Sequence, residues 1–441
     1  MQSRPGRLGR SARPIVFAVG LCFVTALAVP LVGARGTAAA PGAQATAPGA
    51  AWVQLGPEGE ALVRTVSRGA ECPALTVDGN RQPMAVRAAA APPAFPQAVC
   101  EAALPAGGSA VAVEDQALPL PRPEPRRIVV VGDAGCRLEE GDPIQDCNSP
   151  AAWPFARVAA SAAAWQPDLV IHVGDYVYRE TPCPPKLAAC AGSPWGDTWA
   201  TWQADVFAPA APLLRAAPWV FTRGNHEVCQ RGGDGWFRLL EPRPYTGACT
   251  DYTEPYAVDL GDARLVVLDS AEADDFAVRP EQAALYRDQF ARVGELAGPN
   301  TWLVLHRPLW AIGQTPGEAG PAGLFRTNPT LQAASDNRLP AGVQLVLSGH
   351  LHLWEALTFA DGRPPQVVVG NSGTNLDPAI TTPLGGLDVG GTTVATGSTR
   401  HEWGFLTLER TDTGWLATLR DADGGPVLTC RLVARDLACG S

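Results

Sequence analysis

Five short blocks place donor side chains directly after runs of β-forming residues. They are Gly132-Asp133-Ala134-Gly135, Gly174-Asp175-Tyr176-Val177-Tyr178, Gly224-Asn225-His226-Glu227, His306 with Arg307 and Pro308, and Gly349-His350-Leu351-His352. Asp133, Asp175, Asn225, His306, His350 and His352 offer carboxylate, amide oxygen and imidazole, a mixture that borderline divalent metals and ferric iron accept. Four of the six histidines in the chain fall inside these blocks. Taken alone, a Gly-Asp turn or a lone histidine in a strand is more often structural, so the order of the blocks and their strand context carry the reading. The glycines before the donors let the backbone approach closely and take up dihedrals that a larger residue resists.

To meet, residues this far apart in sequence need elements that converge. Each block follows an apolar run that reads as a strand: Ile128–Val131, Leu169–Val173, Trp219–Thr222, Trp302–Leu305 and Leu345–Leu347. In open α/β sheets the carboxyl ends of the strands open onto one crevice, where such side chains can gather. Helical candidates at Pro154–Trp165, Trp195–Leu214 and Pro280–Leu296 alternate with the strands, which predicts a layered α/β fold. Trp403–Arg410, Gly414–Arg420 and Val427–Val433 return to β-type alternation around Asp421-Ala422-Asp423-Gly424-Gly425, a hairpin signal expected to complete a second sheet. Upstream, residues 52–120 carry short β-like runs at Ala61–Val66, Ala74–Val77 and Ala110–Val113, separated by turn residues. They predict a small N-terminal all-β domain, fibronectin-like or similar. A Pro-rich stretch at 121–127 reads as a stiff spacer, and the catalytic domain is expected over 128–441.

Residues 1–40 differ from all that follows: Arg4, Arg7, Arg10 and Arg13 precede an apolar run from Ile15 to Gly33 and then small residues, the pattern of an export signal. An uncleaved anchor is the alternative, weakened by Gly20, Thr25 and Pro30; residues 41–51 read as a flexible linker. The expected location is therefore secreted, periplasmic or cell-surface, with no stable membrane association after cleavage. Of eleven cysteines, Cys22 lies in the leader, which leaves an even number. Nearest-neighbour pairing gives Cys72 with Cys100, Cys136 with Cys147, Cys183 with Cys190, Cys229 with Cys249, and Cys430 with Cys439. Zinc-binding thiolates are the competing reading, but the chain has no Cys-x-x-Cys pair. The net charge of −10 and the mixing of acidic with basic residues argue against a nucleic-acid-binding surface.

The order Gly-Asp-x-Gly, Gly-Asp-x-x-Tyr, Gly-Asn-His-Glu, His-Arg-Pro, Gly-His-x-His resembles the purple acid phosphatase branch of the calcineurin-like metallophosphoesterases. That resemblance implies a layered β-sandwich flanked by helices. Other branches commonly carry Asp-x-His in the first block and Asp at the end of the second; Gly135 and Tyr178 stand in those places here. The resemblance further assigns Asp133, Tyr178 and His352 to Fe(III), makes Asp175 a bridge, and gives Asn225, His306 and His350 to a second divalent metal (zinc, manganese or iron). Leu303 stands where family members usually have Val, a conservative change. A phenol with an ordinary pKa of about 10 becomes a good ligand only when a highly charged ion displaces its proton, which suits Tyr178 to Fe(III).

The chemistry expected is hydrolysis of small phosphomonoesters by a metal-bound hydroxide attacking phosphorus, with His226 donating a proton to the leaving alkoxide. A phosphodiesterase or pyrophosphatase on the same centre is the nearest alternative; a non-catalytic surface binding module and an iron redox protein are more distant ones. Arg223 and Arg307 flank ligand blocks, and such arginines are more often structural than phosphate-binding. His172 is read as structural. His401 is either on the pocket wall or on a loop. Trp195, Trp199 and Trp202 are read as core.

Overall fold

The computed structural model describes residues 49–69, 71–315 and 323–440. The expected leader at 1–40 and most of the linker lie outside these residues. The described residues form one compact unit. Among the described residues no helix is long and apolar enough to cross a membrane.

The strands that precede the donor blocks are where the apolar runs place them. Arg127–Val131, Leu169–His172 and Trp219–Phe221 are parallel neighbours, with Ile171 opposite Val130 and Val220. Ala263–Val267, Thr301–Val304, Val343–Ser348 and Gln366–Val369 form a second parallel run. The first set is the centre of an eleven-stranded sheet and the second lies within an eight-stranded one. Both faces of these parallel runs are covered. Ile128, Val130, Leu169 and Ile171 meet Leu265, Trp302, Val304 and Leu345 in the core between the sheets. Val129, Val131 and Val170 pack on the outer side under Phe155–Ala164 and Ala211–Ala216. On the other flank Val266, Leu303 and Val346 pack under Pro280–Leu296 and Pro329–Ser335. The fold is mixed α/β, a two-sheet sandwich with helices outside. Strands buried on both faces read as continuous apolar runs, which is why they are visible in the sequence.

Three expectations change. The small β region does not stand apart: Ala51–Leu55 is buried along its whole length, pairs with Ala61–Val66, and joins Trp219–Phe221 through Gln54 opposite Trp219. Arg64, fully buried, seals the junction by donating to the carbonyls of Leu239 and Glu241, each at 2.8 Å. The region keeps its own small core around Val53, Val63, Leu75 and Val111. Second, the C-terminal strands extend the first sheet, with Leu406 opposite Val130 and Leu408 opposite Ile128. Third, the helix expected over Trp195–Leu214 breaks into Trp199–Trp202, a π-turn Gln203–Phe207 and Ala211–Ala216. Pro209 and Pro212 lack the N–H that a continuous helix needs there. Trp199 and Trp202 are core, whereas Trp195 is 52% exposed.

Glu355 is buried on the strand Trp354–Phe359, with Oε1 accepting from the Ile312 N–H at 3.2 Å. Burial pushes its carboxyl up to about 8 from an ordinary 4.5. The folded state holds this proton longer than the unfolded chain, so the group's contribution to stability is complete below pH 4.5 and is lost as pH rises towards 8. The slope is about 1.4 kcal/mol per pH unit. Glu355→Gln, which mimics the protonated acid, is expected to raise the melting temperature at pH 8 far more than at pH 4.5. Equal changes at both values would contradict this.

Candidate metal centre

All six donors read from the blocks, together with Tyr178, come to the edge where the carboxyl ends of both parallel runs open. Asp133, Asp175 and His350 hold positive φ angles of 54°, 57° and 76°, a conformation that non-glycine residues keep only when the surroundings impose it. The glycines make that packing possible. A Cβ on Gly224 would lie 2.1 Å from Asp175 Oδ1, and one on Gly349 would lie 2.4 Å from Asp133 Oδ2.

The Tyr178 hydroxyl is the meeting point, lying 2.9 Å from Asp133 Oδ1, 3.0 Å from Asp175 Oδ2 and 3.1 Å from His352 Nε2. One phenolic proton cannot serve both carboxylate oxygens, and the His352 nitrogen crowds the same oxygen. On the other side of Asp175, the same Oδ2 lies 3.0 Å from His306 Nε2, which is also 3.0 Å from Asn225 Oδ1. His306 Nδ1 donates to the Val173 carbonyl at 2.8 Å, so in the neutral ring Nε2 adds another lone pair to the cluster. Asp175, His306 and His350 bring one donor atom each within 4.8 Å of one another. All seven side chains thus gather in one cluster, buried except for the partly exposed His350.

Its electrostatics ask for positive charge. Burial, then repulsion from Asp175, pushes the Asp133 carboxyl well above its usual range, against the pull of His306. Burial works the same way on Asp175, but His306 and His226 outweigh it and hold that carboxyl well below. Burial, then Asp133 and Asp175, drives the Tyr178 phenol up. His306 rises to about 9 because Asp175 overcomes the cost of burying its charge. Burial lowers His350 and His352, which keeps both imidazoles neutral and able to donate a lone pair. Without a cation the protons on these groups are what hold the cluster together; carboxylate, phenol, amide and imidazole donors gathered this closely fit a cation in their place, and the two groupings on either side of Asp175 fit two.

His226 borders the pocket. Its N–H donates to Asp175 Oδ1 at 2.9 Å and its Nε2 lies 3.8 Å from Asp175 Oδ2. The Tyr178 ring lies 3.8 Å from the imidazole, centroid to centroid, and Nδ1 is 2.7 Å from Glu180 Oε1. Arg223 turns away: it is buried and donates to the carbonyls of Glu227 and Thr250 and to Asp269. Arg307 faces Asp275 and the Ala271 carbonyl. His172 is buried under Tyr176, with ring centroids 4.0 Å apart and its Nδ1 accepting from the Gly174 N–H, a packing role. His401 is exposed beyond the strand Thr392–Arg400.

Several supporting groups were missed in the sequence. Glu227 Oε1 accepts from Tyr176 N–H at 2.8 Å and Oε2 from Gly224 N–H at 3.1 Å, joining the second and third blocks. Asp205 accepts from the N–H groups of Tyr178 and Cys136 and pairs with Arg179 at 2.5 Å. Asp377 accepts from His352 N–H at 2.8 Å. Only Glu227 carried a signal, since it completes the third block.

All five expected disulfides are present. Cys136–Cys147 and Cys183–Cys190 pack around Leu138, bracing the loops that leave Asp133 and Tyr178. Cys229–Cys249 staples the segment after Asn225 beside the Arg223 guanidinium. Bridges closing loops of this kind each stabilise a fold by about 2–4 kcal/mol.

Residues 126–353 match the family described as calcineurin-like phosphoesterase. A solved structure of PhoD is similar at 12% identity and a TM-score of 0.51, over 89% of this chain and 91% of that one. GAP50, the anchor in the inner membrane complex of Plasmodium, aligns at 11% identity and a TM-score of 0.35, over 71% of this chain and 90% of GAP50. A conserved uncharacterized protein of Streptococcus pneumoniae TIGR4, described as a phosphoesterase, aligns at 13% and 0.27, over 69% and 93%. At these identities the PhoD likeness speaks to the fold, and the two lower scores carry no argument. No curated protein matches the chain.

Proposed function

The chain belongs to the calcineurin-like phosphoesterase family, and from that premise we propose that it is an exported phosphatase of the iron–tyrosinate branch, acting on small phosphomonoesters. The observation that carries this reading is the crowding of Asp133, Asp175 and His352 around the Tyr178 hydroxyl, all within 3.1 Å. We assign Asp133, Tyr178 and His352 to Fe(III), Asp175 to both ions, and Asn225, His306 and His350 to a divalent partner. When bound, such ions polarise phosphoryl oxygens and acidify water.

The chain's own groups supply the rest. His226 stands at the pocket wall with Nε2 turned towards Asp175, and Glu180 and Arg231 meet its Nδ1 edge. Burial disfavours the Glu180 charge, but His226 and Arg231 outweigh it and hold the carboxyl below its usual range, so Glu180 stays ionised behind the ring. Glu180, 2.7 Å from Nδ1, orients the ring, and its Nε2 edge is the one placed to pass a proton to the departing alkoxide oxygen. Export is supported by the leader-like residues 1–40 and by the five disulfides, which persist in oxidising compartments.

His226→Ala is expected to lower turnover of p-nitrophenyl phosphate by roughly 10²- to 10⁴-fold while leaving metal content intact. Loss of metal in that variant would refute the proton-donor role. Faster cleavage of bis(p-nitrophenyl) phosphate than of the monoester by the wild-type protein would move the assignment to a phosphodiesterase.

A further inference from the structure

His350 and His352 leave the same turn, yet their rings are held differently. His350 Nε2 lies 2.8 Å from Asp275 Oδ2. A carboxylate oxygen only accepts, so this nitrogen carries the ring proton. Arg307 Nη1 is 3.2 Å from the same nitrogen, but it donates to the same Asp275 oxygen, and two donors converging on one acceptor account for both contacts. In a neutral imidazole the lone pair is then left on Nδ1. His306 is fixed in the opposite sense, with Nδ1 on the Val173 carbonyl and Nε2 towards Asn225 and Asp175. The closest Asp377 oxygen to His352 Nδ1 is 3.7 Å away, beyond hydrogen-bond reach, so Asp377 acts on the backbone alone.

Asp275 is itself held firmly. Its side chain is 7% exposed and Oδ1 accepts from Asn328 Nδ2 at 3.1 Å. Arg307, which contacts Oδ2, is anchored on the Ala271 carbonyl at 3.0 Å and directly follows His306. A continuous chain of contacts therefore runs from one donor block to another through Asp275. Meanwhile the His350 backbone is tied to Asp133 Oδ2 at 3.0 Å in a left-handed conformation. The turn fixes where the ring begins; Asp275 fixes which nitrogen faces inward.

We infer that Asp275 is a positioning residue of the metal centre, locking His350 in the tautomer that offers Nδ1 to the divalent ion. This rests on the function proposed above. Outer groups that orient a metal-binding imidazole typically matter by roughly 10- to 100-fold in metal affinity. The test is chelator competition for zinc on the iron-loaded protein, comparing wild type with Asp275→Ala and Asp275→Asn. Zinc affinity is expected to fall by about that factor in the alanine variant and by less in the asparagine variant, whose amide oxygen can still accept from Nε2. Iron content and the visible band are expected to stay, and excess zinc to restore turnover. Unchanged zinc affinity in both variants overturns the inference alone. If Asp275→Ala does not fold, the isosteric asparagine variant decides. A wild-type protein that takes up no divalent ion beside its iron, whether zinc, manganese or ferrous iron, overturns the functional reading and this inference together.

Discussion

Replacing Asp175 with alanine is expected to abolish uptake of the divalent ion and to lower phosphatase turnover by at least about a thousandfold, since a Lewis-acid ion supplies several kcal/mol of transition-state stabilisation and about 4 kcal/mol corresponds to three orders of magnitude in rate. Asp175 is the hub of the pocket. Its Oδ2 meets both the Tyr178 hydroxyl and His306 Nε2, and its Oδ1 accepts from the His226 N–H. Among the described residues no other carboxylate meets side-chain donor atoms of both groupings, so a neighbouring acid is not placed to take over. His306 also loses the partner that raises it to about 9. Metal analysis alongside kinetics on the purified variant checks this. A variant that retains both ions, or that turns over at close to the wild-type rate, would contradict the bridging role.

The second large effect is spectroscopic. Tyr178→Phe is expected to erase the visible tyrosinate absorption entirely while leaving the fold in place, because the ring still fills its buried site against His226 and beneath the Arg137 guanidinium. Burial and the charges of Asp133 and Asp175 drive this phenol upward. Only a highly charged ion can displace such a proton, which is the physical reason to associate Tyr178 with Fe(III) and not with zinc alone. A visible spectrum of the two proteins at matched iron content checks it, and a band that survives in the variant would place iron on other residues.

What the sequence made legible follows from how each feature is encoded. Ile128 to Val131 and Leu169 to Val173 are strands buried on both faces, so a short apolar run ending in Gly-Asp marks both the strand and the donor after it. The disulfides were legible because each joins near neighbours in sequence. The sheet to which the C-terminal strands belong was not, since alternation sets a hairpin's inner pairing but does not say which edge accepts it. Ala51–Leu55, apolar except at Gln54 and without alternation, did carry the sign of a strand covered on both faces. It was read as part of a separate module because its main partners are its sequence neighbours, and only Gln54 meets Trp219. Asp205 and Asp275 were invisible for a further reason. Each is one acid among many, and its meaning comes from partners far away: Tyr178 and Cys136 for Asp205, His350 for Asp275.

The most direct test of paired cations held by these seven side chains is metal analysis of the purified wild-type protein together with its visible spectrum. A pair of ions per chain, one of them iron with a tyrosinate band, is the expected result. An active protein that is colourless and free of iron would contradict the iron–tyrosinate centre, and a protein that takes up no metal at all would contradict the pocket's assignment as a whole.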